Sequence, residues 1–324
     1  MTCVGTGRAL CACAFILCIA APTHAQSWPA KPIRIVVPYA PGGPLDEVAR
    51  VVGQRMTETW GQPVLVDSRG GGGGSIGAEI VARAAPDGYT LLLGNAGPLT
   101  INPSLMKRLP YDTTKDFAPV SLLLTSPMVL VVHPSLPVRN VRDLVKLARA
   151  NPGELNYASA GIGNLQHLSM ESLQAIAGIR MNHVPYKGAA PAFIDIFGGR
   201  IELMFANVVG AMPHLKSGKL RAIAVSSSRR VTALPDLPSV TETFPAFDMN
   251  GWMGILAPAG TPKETVARLS TELARIVQLP EVRARFLAQG AESVGGSPSD
   301  LAEVLTREAA LYARIIKSSG IQAE

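Results

Sequence analysis

Cysteine is almost missing from this 324-residue chain, and the four present, Cys3, Cys11, Cys13 and Cys18, all fall within its first 18 residues. Beyond them there is no thiol to serve as a nucleophile, to bind zinc as a thiolate, to hold an iron–sulfur cluster or to form a disulfide. A chain of this size can bury enough apolar surface to fold without a cross-link. Aromatic residues are sparse at 5%, too few for the platforms on which nucleic-acid bases stack. Clustered charge is absent as well. The formal net charge is +6, yet no basic run exceeds two residues, as at Arg229-Arg230. Such dispersion fits a solvated surface, not a nucleic-acid groove, although the overall field favours anionic ligands.

Catalytic patterns are thin. No G-x-S-x-G elbow occurs, and Ser159 sits instead in Ala158-Ser159-Ala160. No G-x-x-x-x-G-K-[ST] loop occurs, and the histidines His133, His167, His183 and His214 lack the H-x-x-x-H spacing of a metal site. Asp46 and Glu47 are adjacent, so on a helix they do not share a face. Gly72-Gly73-Gly74-Ser75-Ile76-Gly77 fits G-x-G-x-x-G, but a glycine run matches almost any glycine pattern, and Asn95 stands near the place of the acid a dinucleotide site needs. No cofactor, metal or catalytic residue is therefore expected.

The first 25 residues have a character of their own. Arg8 is their only charge, the apolar run Ala9 to Ala21 follows, and Thr23 and Ala25 supply small residues at both positions a signal peptidase reads. This is a secretory signal, too short to span a bilayer, with cleavage expected after Ala25 and an exported, periplasmic product. A lipobox-like reading of Leu10 to Cys13 is the alternative.

In the rest of the chain, strand-like and helix-like segments alternate. Ile33–Val37, Val64–Val66 and Thr90–Leu93 read as strands, and Leu45–Trp60 and Ser75–Ala84 as helices. Short, continuous apolar strands between helices predict an α/β fold with parallel sheets covered on both faces. The pattern pauses over residues 109–119 and resumes with the runs Val120–Leu124 and Met128–Val132. It continues through helices at Val141–Ala150, Leu165–Ala177 and Ala189–Phe197, with strands at Leu155–Ala158, Arg180–Val184, Ile201–Phe205 and Leu220–Val225. A proline-rich return leads to Trp252–Ala257 and three trailing helices from Lys263 onward. Two units with a return segment predict two lobes joined by two crossovers, one at 26–126 plus 251–324 and the other at 127–250.

In open α/β sheets, ligands bind beyond the carboxyl ends of the strands. Ala40-Pro41-Gly42-Gly43 with Leu45 and Asp46 is one such place. Its glycines admit close approach to the backbone, and the helix that follows offers unpaired N–H groups to an anion. The same residues fit an ordinary tight turn with Asp46 as N-cap. Ser159-Ala160-Gly161-Ile162-Gly163-Asn164 is a second place, with His167 one helical turn further on, facing either cleft or core. Asn95-Ala96-Gly97 is a third, or else a plain loop. Tyr186 and Lys187, just past a strand, could also reach a cleft.

Taken together, these segments resemble the receptors of the tripartite tricarboxylate transporters, the Bug family. The likeness is carried by Trp28-Pro29, Pro41-Gly42-Gly43 with Asp46, Pro86-Asp87-Gly88-Tyr89-Thr90 and Gly161-Ile162-Gly163 with His167-Leu168. Pro185-Tyr186-Lys187-Gly188 and Ala257-Pro258-Ala259-Gly260-Thr261-Pro262 extend it over essentially the whole chain after the signal. The resemblance implies a two-lobed periplasmic-binding fold, type II-like, that closes on its ligand like a flytrap. It implies that the loops at Pro41–Asp46 and Ala160–His167 hold a carboxylate, largely through backbone groups, and that Asn95–Gly97 and Ala206-Asn207 border the cleft. It implies a small organic acid as ligand, a membrane transporter or a sensor as partner, and a monomeric receptor without catalysis. Asn164 stands where relatives often have serine, and Ala206 where they often have aspartate, which weakens recognition of an amino group. The rival expectation is an exported α/β hydrolase acting on a small ester or glycoside.

Overall fold

The structure, a computed structural model, describes residues 1–2, 28–186, 188–247 and 249–322. The expected signal segment with its cysteines and the cleavage point after Ala25 lie outside the described residues, as does Lys187.

From the N-terminus run β1 (Ile33–Val37), α1 (Pro44–Trp60), β2 (Val64–Ser68), α2 (Ser75–Ala82), β3 (Thr90–Gly94), α3 (Asn102–Leu105) and β4 (Phe117–Ser126). A second series follows, with β5 (Met128–Val132), α4 (Val141–Ala150), β6 (Asn156–Ser159), α5 (Leu165–Ala177), β7 (Asn182–Pro185), α6 (Ala189–Phe197), β8 (Leu203–Asn207), α7 (Val208–Lys216) and β9 (Arg221–Val225). The chain then returns through β10 (Gly251–Pro258), α8 (Lys263–Val277), α9 (Pro280–Ala288), β11 (Glu292–Gly296) and α10 (Pro298–Ser319).

Local chemistry accounts for the element ends. Proline opens α1 at its first turn, where its missing N–H costs nothing, and Gly61 in the left-handed conformation ends it. The Asn164 side chain caps α5 by accepting from the His167 amide, and Gly178 closes it. Ser297 and Asp300 form a reciprocal capping box at the start of α10.

The strands make two sheets, ordered β11-β4-β10-β3-β1-β2 and β7-β6-β8-β5-β9. Neither is purely parallel, which corrects the sequence expectation. In the first sheet, β1 is parallel to β2 and β3, but β10 runs antiparallel to both β3 and β4. In the second, β6 is parallel to β7 and β8, while β5 is antiparallel to β8 and β9. Two of the reversed strands, β5 and β10, enter directly from the other sheet without a crossover helix, while the third, β11, follows α9 and pairs antiparallel with β4. Pro127 alone separates β4 from β5, and Met249 and Asn250 precede β10 on the way back. The two crossings lie side by side, because Gly251 pairs with Ser126.

Buried aliphatic side chains of both sheets form the core. One cluster runs through both, joining Val36 and Leu92 of the first sheet to Leu130 and Phe205 of the second, with Trp252 and Tyr312 among them. Each fully buried Leu, Ile or Val stabilises the fold by about 1.5–3 kcal/mol. Three elements escape the sequence pattern, the short α3 among them. Helix α7 carries an internal Pro213, and β11 reads Glu-Ser-Val-Gly-Gly, a strand made by its pairing with β4 and not by its own propensity.

Candidate ligand site

Because β1, β2 and β3 are parallel, the loops after them gather at one edge of the first sheet. The Tyr39 hydroxyl donates to Asn95 Oδ1 at 3.0 Å. A side chain at Gly97 would place its Cβ 2.6 Å from that hydroxyl, so glycine lets the β1 and β3 loops meet without displacing Tyr39. The glycine-rich turn after β2 is drawn in by Asn102, whose Nδ2 donates to the Gly73 carbonyl at 3.1 Å. The glycine run is thus held against α3 through the Gly72 and Gly73 carbonyls.

Asp46 corrects the sequence reading. It is neither N-cap nor a group open to ligand: Gly43 is the N-cap, and Asp46 is 4% exposed. Its carboxylate accepts from the Gly42 amide at 3.1 Å, from Ser68 Oγ at 2.8 Å and from Arg50 Nε at 2.8 Å. The Arg50 guanidinium, helped by Ser68 and the Gly42 amide and opposed by burial, lowers the Asp46 pKa to about 2. Asp46 is therefore a fixed anion that folds the Ala40–Gly43 turn. Ala40, Pro41 and Gly42 are exposed, whereas Leu45 is packed in the core. The Gly42 amide is consumed, and the first-turn amides of Leu45 and Asp46 have no carbonyl one turn earlier in the helix to bond to.

The second sheet gathers the loops after β6, β7 and β8 in the same way. Here the expected free donors are already engaged. The Ala160 amide donates to Gln166 Oε1 at 2.7 Å, the Gly161 amide to Ser159 Oγ at 3.2 Å and the Gly163 amide to His167 Nδ1 at 3.0 Å. The loop is thus pre-ordered by its own side chains, and its glycines do not offer bare amides. His167 is 5% exposed and lies against His183, with ring centroids 3.7 Å apart; Tyr157 stacks on His183 at 4.9 Å. Burial lowers the His167 pKa to about 4, and burial together with the neighbouring His167 does the same to His183. His167 therefore acts as a neutral acceptor inside the loop, which decides between the two faces left open in the sequence.

The remaining candidates divide. Ser159 is fully buried, its hydroxyl 2.7 Å from His183 Nε2 and donating to the Gly161 carbonyl at 2.8 Å. The Tyr186 hydroxyl turns to Asp195 at 2.5 Å. Ala206 is sealed among the apolar residues of the second sheet, and Ala96 is buried in the core that spans both. Asn207 and the edges of the two glycine loops are the parts left accessible.

The two loop clusters face one another through Leu105, at the end of α3. A Cβ built on Gly163 would overlap this leucine and lie 3.4 Å from its Cγ. Leu105, Tyr39, Ser68, Gln166 and His183 were not singled out from the sequence, because each gains its role from a partner distant in the chain or from a turn whose shape was unknown. Two surface cavities, of about 390 and 440 Å³, involve none of the sequence-selected residues.

Two α/β sheets joined by paired crossovers, with their carboxyl-end loops opposed, define the class of two-lobed solute-binding proteins. The chain belongs to the tripartite tricarboxylate transporter family receptors, whose family pattern matches residues 48–321. Protein BugT of Bordetella pertussis is 37% identical over 304 residues, covering 93% of each chain. Among solved structures, Rpa4515 of R. palustris, with adipate, is 35% identical with a TM-score of 0.78, covering 91% of this chain and 99% of that one. Periplasmic binding protein BugD is 36% identical with a TM-score of 0.74, covering 92% and 100%. Among the described residues, no helix is long and apolar enough to cross a membrane.

Proposed function

We propose that this receptor is exported, is cleaved after Ala25, and captures a small organic carboxylate between a lobe of residues 26–126 plus 251–324 and a lobe of residues 127–250. The observation that carries this reading is the opposition of the β1–β3 loops to the β6–β8 loops, in contact through Leu105 and Gly163. Helix α1 begins at the carboxyl-end edge of the first sheet and α5 begins beside the Leu105–Gly163 contact, a setting that favours an anion. Asp46 is neutralised locally by Arg50, so its charge does not repel the ligand. A buried carboxylate is tolerable only when several donors meet it. Donors from both lobes meet it together only on closure, so the ligand draws the lobes shut by its greater affinity for the closed form. The closed monomer then delivers its ligand to a membrane transporter or reports to a sensor. The relative solved with adipate supports a carboxylate as the ligand class.

The Ser159–His183 pair is a feature a hydrolase would use, but Ser159 is fully buried and braces its own loop. No covalent step is assigned to it. The test combines mass spectrometry of the denatured protein with thermal shifts against adipate, malate and citrate. The expected outcome is a trapped acid, or a rise of several degrees with one acid that follows its concentration. A protein free of passenger whose melting is moved by no small acid would overturn the reading.

A further inference from the structure

We propose that Leu105 is a positioning residue for ligand capture: its side chain and the bare backbone of Gly163 are the two halves of a closure contact between the lobes. Its effect on binding rests on the receptor reading above; its geometry does not.

Leu105 is fixed to the first sheet. It ends α3, which follows the turn Gly97–Ile101 after β3, and its side chain is half-buried against the shared core. The α3 segment is anchored by Asn102, which holds the Gly72–Gly73 carbonyls, and by the Met106 amide, which donates to the Asn102 carbonyl at 2.9 Å. Gly163 is fixed to the second sheet. Its amide is held by His167, and the same loop is tied down through Gln166, Asn164 and the Ser159–His183 pair. The contact therefore joins two stiff bodies rather than two pliable loops.

Gly163 is buried with φ +71, a conformation that disfavours a side chain, and the room a side chain would occupy is taken by Leu105. Two separate reasons thus demand glycine, and only the second depends on the other lobe. An apolar side chain against bare backbone has no hydrogen bond to break on opening. Its dispersion attraction falls off within about an ångström of separation. Such a contact is sensitive to shape and silent to charge, which suits a closure element beside a site that selects for an anion.

The test is a double-mutant cycle on the full protein with Gly163→Ala, Leu105→Ala and the double variant, read first by small-angle X-ray scattering without ligand. Gly163→Ala is expected to enlarge the radius of gyration. Adding Leu105→Ala should restore most of the compactness, because the shortened side chain makes room for the new methyl. Leu105→Trp should open the protein with Gly163 intact, so the inference survives if the alanine at 163 impairs folding. Affinity for the acid that raises the wild-type melting temperature, with adipate tried first, should fall about tenfold in Gly163→Ala and recover in the double variant. Additive effects, with the double variant as open as Gly163→Ala, would overturn the proposal. So would an unchanged radius in both Gly163→Ala and Leu105→Trp. If no acid binds the wild type while the scattering cycle still couples, the receptor reading falls and the closure contact stands.

Discussion

Asp46 shows how a residue can be prominent in the sequence and still be misread there. Its type and its place after two glycines suggest an N-cap or a ligand group, and both suggestions look forward along the chain. The structure has it look backward to the Gly42 amide and sideways to Ser68. Asp46→Ala would strand a backbone donor and a hydroxyl, at a cost of about 1–3 kcal/mol. The expected result is a lower melting temperature together with weaker acid binding, since the Ala40–Gly43 turn loses its brace. Arg50→Ala should lower the melting temperature far less, because the arginine is largely exposed and solvent screens its charge. Thermal melts and titrations of the two variants side by side check the contrast. Leu105 lies at the other extreme: nothing in Ser104-Leu105-Met106 marks it, because its partner lies 58 positions away at Gly163.

Elements with strong local signals were legible. The β-branched run of β1, the proline-to-glycine span of α1 and the Asn164-to-Gly178 limits of α5 follow from side chains and turns within a few residues. Helix α7 was not, since Pro213 and Gly210 disguise it, and neither was β11, which is polar and glycine-rich. The carboxyl-end loops were recognisable as places, but not the fact that their amides are already engaged. Which side chain turns back on a glycine depends on torsions that no periodicity reports. Helix α5 offers the element-scale check. Asn164→Ala removes the cap on the His167 amide and should destabilise by about 1 kcal/mol. It should also weaken acid binding more than a cap substitution far from the site, such as Ser297→Ala at α10, and calorimetry with titration would show the difference.

At the scale of the whole molecule, the buried imidazoles tie stability to pH. His167 and His183 are neutral in the fold, with pKa values lowered by burial to about 4 from an ordinary 6.5. The unfolded chain takes up protons from pH 6.5 downward before the folded one does, so the stability conferred by the neutral pair is complete above 6.5 and is lost as the pH falls towards 4. Melting temperature should fall over that window, and the slope should flatten in His167→Gln. A profile level from pH 7 to 4 in the wild type would contradict the buried stack. Protonation at His167 Nδ1 also turns the acceptor of the Gly163 amide into a donor, so acid capture should hold down to about pH 5 and weaken only as the pH approaches the folded-state value of about 4.

The chain passes between the two sheets side by side at Ser126 and Gly251. In the proposed closure these paired strands would serve as a fulcrum: residues near them would shift least, while those at the far rim would sweep the longest arc. A Cβ on Gly251 would press into the Ser126 carbonyl, so a bulkier residue there would work as a wedge at the pivot. Its small displacement would be magnified, lever-like, at a rim it never touches.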